Sequence, residues 1–302
     1  MMPSTESRID ARDWSLLGVL SVLWGGSFFF NGVILRELPP LTLVLLRVAL
    51  ASVILLPLLR VYGIGFPKGL SGWLPFLAIG LFNNVLPFSL IVIGQTYVPS
   101  GLASILNATT PLFTVMVMAA AGEERLHARR VAGVFVGLIG VAILHGDALG
   151  FETRQGIGIL LCLAGAFSYG LAALVARRLP SQTQPLGTAT FQMLASAAMM
   201  AVVAGVVDRP WQLPMPGATT WLAVIGLATL STALAYIVFF QILQRSGATN
   251  VMLVTLLIPV TAILLGYLVL GEPISAREIA GALVIGSALL LIDGRILNPF
   301  RN

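Results

Sequence analysis

Ten apolar stretches, each about as long as a bilayer is thick, divide the chain into two halves that echo one another. They run over residues 14–35, 41–61, 73–96, 100–121, 131–144, 156–176, 186–207, 219–243, 248–270 and 279–292. A helix rises ~1.5 Å per residue, so ~20 residues cover a hydrocarbon core of ~30 Å. The fifth and tenth stretches are short and borrow flanking residues to span. The expected fold is an all-α integral membrane protein with ten transmembrane helices.

Composition agrees with that reading. The chain is 58% hydrophobic and 10% charged, and its mean hydropathy is +0.97. Soluble proteins carry about 25% charge, so this much apolar surface needs the bilayer as its solvent. A pI near 10.0 then reflects basic loops beside the membrane, not nucleic-acid binding. The lone Cys162 excludes an intramolecular disulfide and reads as a small packing residue. Acids beside the first arginines, and a long first stretch, argue against a cleavable signal peptide.

The positive-inside rule sets the orientation. With the amino terminus cytoplasmic, the inner segments hold Arg8, Arg12, Arg60, Lys68, Arg125, Arg129, Arg130, Arg177, Arg178, Arg245, Arg295 and Arg301. The outer loops hold only Arg36, Arg154, Arg209 and Arg277. Both termini are therefore expected inside. Acids lean outward: Glu37, Asp147, Glu152, Asp208, Glu272 and Glu278.

Sliding the chain by 148 residues places Trp73-Leu74 on Trp221-Leu222, Pro111 on Pro259 and Glu124 on Glu272. Ala128-Arg129-x-x-Ala132-Gly133-x-x-Val136 then falls on Ala276-Arg277-x-x-Ala280-Gly281-x-x-Val284. Trp24-Gly25 resembles Tyr169-Gly170 at a different offset. The organisation expected is a tail at 1–13, repeats at 14–147 and 148–292, and a second cytoplasmic tail at 293–302. Each half holds an odd number of spans, so the repeats insert with opposite topology, the arrangement of many secondary transporters.

Leu45-Leu46-Arg47-Val48-Ala49-Leu50-Ala51-Ser52 resembles the arginine-led second helix of the EamA-type drug/metabolite transporters. Ala121-Gly122-Glu123-Glu124-Arg125-Leu126 and Leu270-Gly271-Glu272-Pro273-Ile274 resemble the Gly-Glu helix endings of the two EamA repeats. The resemblance covers nearly the whole chain. It implies ten helices, inverted repeats and cytoplasmic termini, and its overall texture is most similar to bacterial amino-acid exporters of the YddG type.

Polar residues within the spans are few and mark the candidate pathway. In the fourth span Ser100, Ser104, Asn107, Pro111 and Thr114 share one helical face, and the ninth places Thr255 and Pro259 at equivalent positions. Each proline frees a carbonyl about one turn upstream, so Pro111 and Pro259 are candidate breaks or gates around a central cavity. An ordinary kink satisfied by nearby hydroxyls is the competing reading. Asn83, Asn84 and Pro87 lie in the third span, with Ser231, Thr232 and Tyr236 in its partner. Of two adjacent asparagines, at most one is expected to face a pore, the other bridging helices. Trp24, Phe28 and Asn31 share a side of the first span, and Tyr169 is the counterpart of Trp24. Arg47 is the only charge well inside a span; it either snorkels to the outer interface or meets a substrate carboxylate. Gln192 and Gln241 are further candidates. Glu124 and Glu272 are expected to close loops by pairing with Arg129 and Arg277.

Absences restrict the mechanism. No acid or histidine lies in the core of a span, which argues against a buried proton relay. Coupling then falls to the substrate gradient or to a peripheral group such as His145. No Walker loop points to ATP, and no serine–base or His/acid metal set within the spans supports an intramembrane enzyme. No cofactor or metal is expected. A lone arginine suits a neutral or zwitterionic solute better than a phosphate. The sequence thus points to an alternating-access exporter of small neutral or zwitterionic metabolites, amino acids including aromatic ones, in an inner membrane. The partners expected are that solute and the lipid bilayer. Multidrug or nucleoside efflux, and a non-transporting scaffold, remain alternatives.

Overall fold

The computed structural model describes residues 11–124, 128–145, 154–178, 184–251 and 253–293. Every regular element among these residues is helical, without strands. Seven helices are long and apolar enough to cross a membrane, and Val254–Leu270 forms a shorter apolar one. Two further helices, α7 (Ala128–His145) and α13 (Ala276–Asp293), pack along each other. Large apolar side chains face outward all round the bundle: Val53, Val202, Leu222 and Leu283 are each more than 60% exposed. A bilayer is the solvent that tolerates such a surface.

The first half comprises α1 (Ala11–Ile34), α2 (Pro40–Val61), α3 (Gly69–Gly80), α4 (Leu86–Gly94), α5 (Ser100–Asn107), α6 (Thr110–Ala120) and α7. The second comprises α8 (Arg154–Arg178), α9 (Pro185–Val207), α10 (Ala218–Ala228), α11 (Ala235–Val251), α12 (Val254–Leu265) and α13. The helices change partners when the halves are exchanged. Helix α1 packs on α10, α11 and α12, while α8 packs on α4, α5 and α6; α2 meets α9 as α7 meets α13. Each half thus lends its first helix to the other, and the halves meet about a common centre.

Close approach at that centre depends on Gly25 and its counterpart Gly170. A Cβ at Gly25 would sit 2.9 Å from the Ile258 carbonyl oxygen of α12, and one at Gly170 would sit 3.1 Å from the Phe113 carbonyl carbon of α6. The Gly-Glu endings also have a physical cause. Gly122 and Gly271 adopt φ of 73° and 69°, the left-handed turn that closes a helix.

A π-helical turn at Leu81–Val85 joins α3 to α4, and another at Thr229–Leu234 joins α10 to α11, at the same 148-residue offset. Pro87 removes the donor that would have bonded the Asn83 carbonyl. The Ser168 hydroxyl of α8 donates to the nearby Phe82 carbonyl at 2.9 Å. Such wide turns commonly occur at functional sites.

The two ends of the bundle are held differently. At one end, carboxylates receive helix N-termini. Asp208 accepts from the Thr42 backbone N–H (2.7 Å) and hydroxyl (3.0 Å), Glu37 from Gly217 N–H (2.6 Å), and Glu272 from Ser100 N–H (3.0 Å). Each caps a helix whose amino end carries partial positive charge. At the other end the contacts are ion pairs: Asp13–Arg245 at 3.2 Å, Glu123–Arg178 at 2.8 Å, and Glu124 with Arg177 and Arg130.

Several expectations are corrected. Glu124 pairs with Arg130 and Arg177, not Arg129, because α7 turns Arg130 toward it. Glu272 caps α5, because its carboxylate reaches Ser100 across the interface between halves. No loop interrupts 244–247: α11 continues to Val251, since glycine stands at 247 where the first half has Pro99, the last residue of the turn between α4 and α5. Helix α1 begins at Ala11, so Asp13 belongs to the bundle and not to a tail. Arg125, His127, Asp147, Glu152, Arg295 and Arg301, and most of both tails, lie outside the described residues.

Candidate functional site: a central cavity between the halves

One cavity of about 380 Å³ lies where α1, α2, α4 and α5 meet α8, α9, α11 and α12. Its wall is paired by the repeat. In the register that aligns Pro40 with Pro185, Trp24, Phe28, Asn31 and Arg47 fall on Tyr169, Ala173, Ala176 and Gln192, and all eight line the cavity. In the 148-residue register Phe88, Ile91, Asn107 and Thr110 fall on Tyr236, Phe239, Thr255 and Ile258, again all on the wall.

The pairing is chemically unequal. Helix α1 presents Phe28 and Asn31 where α8 presents two alanines. The alanines leave space, and the cavity runs past Ala176 to Thr188 in the first turn of α9. It therefore reaches toward the end of the bundle held by ion pairs. Beyond Asn31, at the capped end, the path is filled by side chains. Asn31 Nδ2 donates to Gln95 Oε1 (2.8 Å), Gln95 Nε2 donates to the Phe28 carbonyl (3.1 Å) and to Ser100 Oγ (3.3 Å), and Ser100 Oγ donates to the Phe28 carbonyl (3.1 Å).

Among the described residues Arg47 is the only charged one on this wall. It does not snorkel. The residue is 7% exposed, its Nε donates to Thr232 Oγ1 at 3.0 Å, and its guanidinium carbon lies 3.8 Å from the centre of the Phe88 ring. Thr232 sits in the second π turn and Phe88 on α4, so both halves hold the cation in place, and stacking on an aromatic face favours Arg over Lys. Its terminal nitrogens have no hydrogen-bond partner among the described residues, leaving the fork of donors that suits a carboxylate. Gln192, its counterpart, accepts from Asn83 Nδ2 (3.3 Å) in the first π turn, and Asn83 also donates to Tyr236 Oη (3.2 Å). The π turns at Leu81–Val85 and Thr229–Leu234 thus each hold one polar arm of the cavity.

Aromatic rings close the remaining wall. Trp24 and Phe239 stand 5.5 Å apart, and Phe240 contacts both Phe239 (5.2 Å) and Tyr236 (6.1 Å).

Of the residues singled out from sequence, Trp24, Phe28, Asn31, Asn83, Asn107, Tyr169, Tyr236, Thr255 and Arg47 come together around this cavity. Asn84 and Ser231 do not line it. Asn84 is wholly buried and donates to Ser196 Oγ of α9 at 3.0 Å, and Ser231 is 1% exposed within its π turn. Pro87, Pro111 and Pro259 shape the helices without reaching the wall. Pro111 follows a break at Ala108–Thr109, and the Asn107 carbonyl there accepts from Thr110 Oγ1 at 2.7 Å. Pro259 lies inside α12, so the second break precedes Val254 and the two breaks are not equivalent. Gln241 is exposed and off the wall. The sequence reading passed over Ser27, Phe88, Phe239, Phe240 and Thr188, and gave Gln192 no second feature. The shared proline at the starts of α2 and α9 is the signal that aligns Gln192 with Arg47.

Comparisons with known proteins agree with this architecture. The profile of the EamA-like transporter family matches twice, over residues 13–145 and 156–293. A probable amino-acid metabolite efflux pump of Escherichia coli K12 is 27% identical over 288 residues, covering 93% of this chain and 94% of its own. The uncharacterised inner membrane transporter YedA of the same strain is 26% identical over 287 residues, covering 94% and 91%. The uncharacterised transporter YvbV of Bacillus subtilis is 24% identical over 280 residues, covering 92% and 90%. One crystal structure shares the fold with a TM-score of 0.67 and 22% identity, covering 97% of this chain and all of that one.

Proposed function

The chain belongs to the EamA-like transporter family, and on that premise we propose that it exports small zwitterionic metabolites, foremost amino acids with apolar or aromatic side chains, across an inner membrane. It is a multi-pass membrane transporter and not an enzyme. The observation that carries the cargo reading is the composition of the central wall. A single stacked cation faces amides and hydroxyls inside an aromatic enclosure, which suits one carboxylate and an apolar side chain. A phosphorylated solute would call for more than one cation. The printed name of the Escherichia coli relative points the same way.

In this reading the helices α7 and α13 join the eight apolar segments to make ten spans, arranged as two inverted five-helix repeats with both termini cytoplasmic. The end held by ion pairs then faces the cytoplasm and the capped end faces outward, in keeping with the charge bias of the loops. The cavity's extent past Ala176 supports assigning this structure to the inward-facing state. Alternating access is a rocking of the halves that breaks the Asn31–Gln95–Ser100–Glu272 seal while closing the mouth between α8 and α9. Trp24, Phe28, Asn31, Asn83, Asn107, Tyr169, Tyr236 and Thr255 form the substrate wall, with Arg47 its carboxylate contact.

Growth in toxic amino-acid analogues tests the proposal. Cells producing the protein should tolerate several-fold more of a toxic aromatic analogue than cells producing Arg47→Met at equal membrane abundance. Unchanged tolerance to every analogue, together with raised tolerance to lipophilic dyes, would favour multidrug efflux instead.

A further inference from the structure

Two residues of the cavity wall each carry a buried side-chain oxygen without a partner. Asn31 Oδ1 and Asn107 Oδ1 are both buried and accept no hydrogen bond, while both residues line the cavity. Buried acceptors are nearly always satisfied, so these two mark a place where a donor is missing.

The orientation of the Asn31 amide follows from its neighbours. The Phe28 carbonyl can only accept, so the Gln95 atom facing it at 3.1 Å is the nitrogen. Gln95 therefore turns its oxygen toward Asn31, which must answer with its own nitrogen at 2.8 Å. Oδ1 is left as the uncommitted atom of a residue 2% exposed. Exchanging the two Asn31 atoms would set oxygen against oxygen. Asn107 ends α5 at the helix break; its backbone carbonyl is taken by Thr110 Oγ1, and its side-chain oxygen stays unpaired.

We propose that Asn31 and Asn107 form an ammonium subsite, which together with Arg47 makes the cavity a reader of both ends of an α-amino acid. This rests on the amino-acid reading above and adds a rule of selection. A carboxylate alone satisfies Arg47 and leaves two acceptors unmatched. An amine alone satisfies the acceptors and meets the charge of Arg47 unopposed. A zwitterion satisfies both, and the aromatic wall takes its side chain. Recognition of an N–H donor by buried acceptors discriminates strongly, because a ligand without the donor leaves them unpaired.

Equilibrium binding of radiolabelled phenylalanine to the purified full-length protein, competed by unlabelled phenylalanine and by 3-phenylpropionate, tests this. The two competitors differ only in the ammonium group. In the native protein 3-phenylpropionate should compete at least tenfold more weakly. In Asn107→Leu, whose side chain carries no protein hydrogen bond to lose, that gap should shrink several-fold while 3-phenylpropionate still binds. Asn31→Leu should shrink it as well. A native gap below twofold, or one that survives both substitutions, overturns the ammonium subsite alone. The absence of any saturable phenylalanine binding overturns the amino-acid reading and the subsite with it.

Discussion

Arg47 carries a full charge into an apolar bundle, and its surroundings explain how that is tolerated. Phe88 supplies a face, Thr232 an acceptor, and the cavity an open side. A hydrogen bond to a charged group contributes about 1.5–3 kcal/mol. Arg47→Met is therefore expected to raise the apparent KM for neutral amino acids roughly tenfold to a hundredfold. Arg47→Lys should recover only part of this, since a point charge neither stacks nor forks; initial-rate uptake across a concentration series measures both. The sequence made Arg47 visible as a lone intramembrane charge but not its fate. The partners that hold it away from the interface come from α4 and the second π turn, which no local pattern brings near. Gln192 was harder still, a candidate amide with no second feature until the Pro40/Pro185 register pairs it with the arginine.

At the level of elements, the 148-residue offset was legible from Trp73 to Val136, and the π turns at Leu81–Val85 and Thr229–Leu234 fall on that register. Where the halves differ in breaker residues, the register fails. Pro99 keeps the turn between α4 and α5 out of helix in the first half, and no proline stands at its counterpart in α11, which runs on to Val251. Helix crossings are set by small residues whose role becomes clear only with the partner in view. Gly25 faces the α12 backbone, whereas Gly18, two turns earlier on α1, has nothing within 4 Å. Gly25→Ala is accordingly expected to destabilise by about 1–3 kcal/mol through overpacking, seen as a lower thermal midpoint of the purified protein. Gly18→Ala should not lower it. On the same scale, Glu272→Ala removes the cap on α5 and loosens the seal beside Asn31. That variant should show a lower midpoint and faster leak of substrate from loaded vesicles than the native protein.

For the whole molecule, the apolar periodicity and composition made an all-helical membrane bundle legible from the chain alone. The asymmetry of the cavity was not legible, because it comes from alanines at 173 and 176 set against Phe28 and Asn31 across the interface. The orientation is open to direct chemical mapping. Cys162, the sole cysteine, is fully buried, so the native protein should resist a membrane-impermeant maleimide. Met215→Cys, at a site 83% exposed near the capped end, should label in intact cells. Thr188→Cys, at the cavity mouth, should label only in inverted vesicles and be protected by substrate. The opposite pattern would reverse the assignment of inside and outside.

Whether this cavity carries amino acids is settled by uptake of a labelled amino-acid panel into proteoliposomes holding the purified protein. Uptake of neutral amino acids, aromatic ones included, should be saturable and mutually competing, fall at least tenfold in Arg47→Met and weaken in Asn107→Ala. No uptake of any amino acid, from vesicles in which impermeant labelling of Thr188→Cys or Met215→Cys confirms inserted protein, would contradict the amino-acid reading.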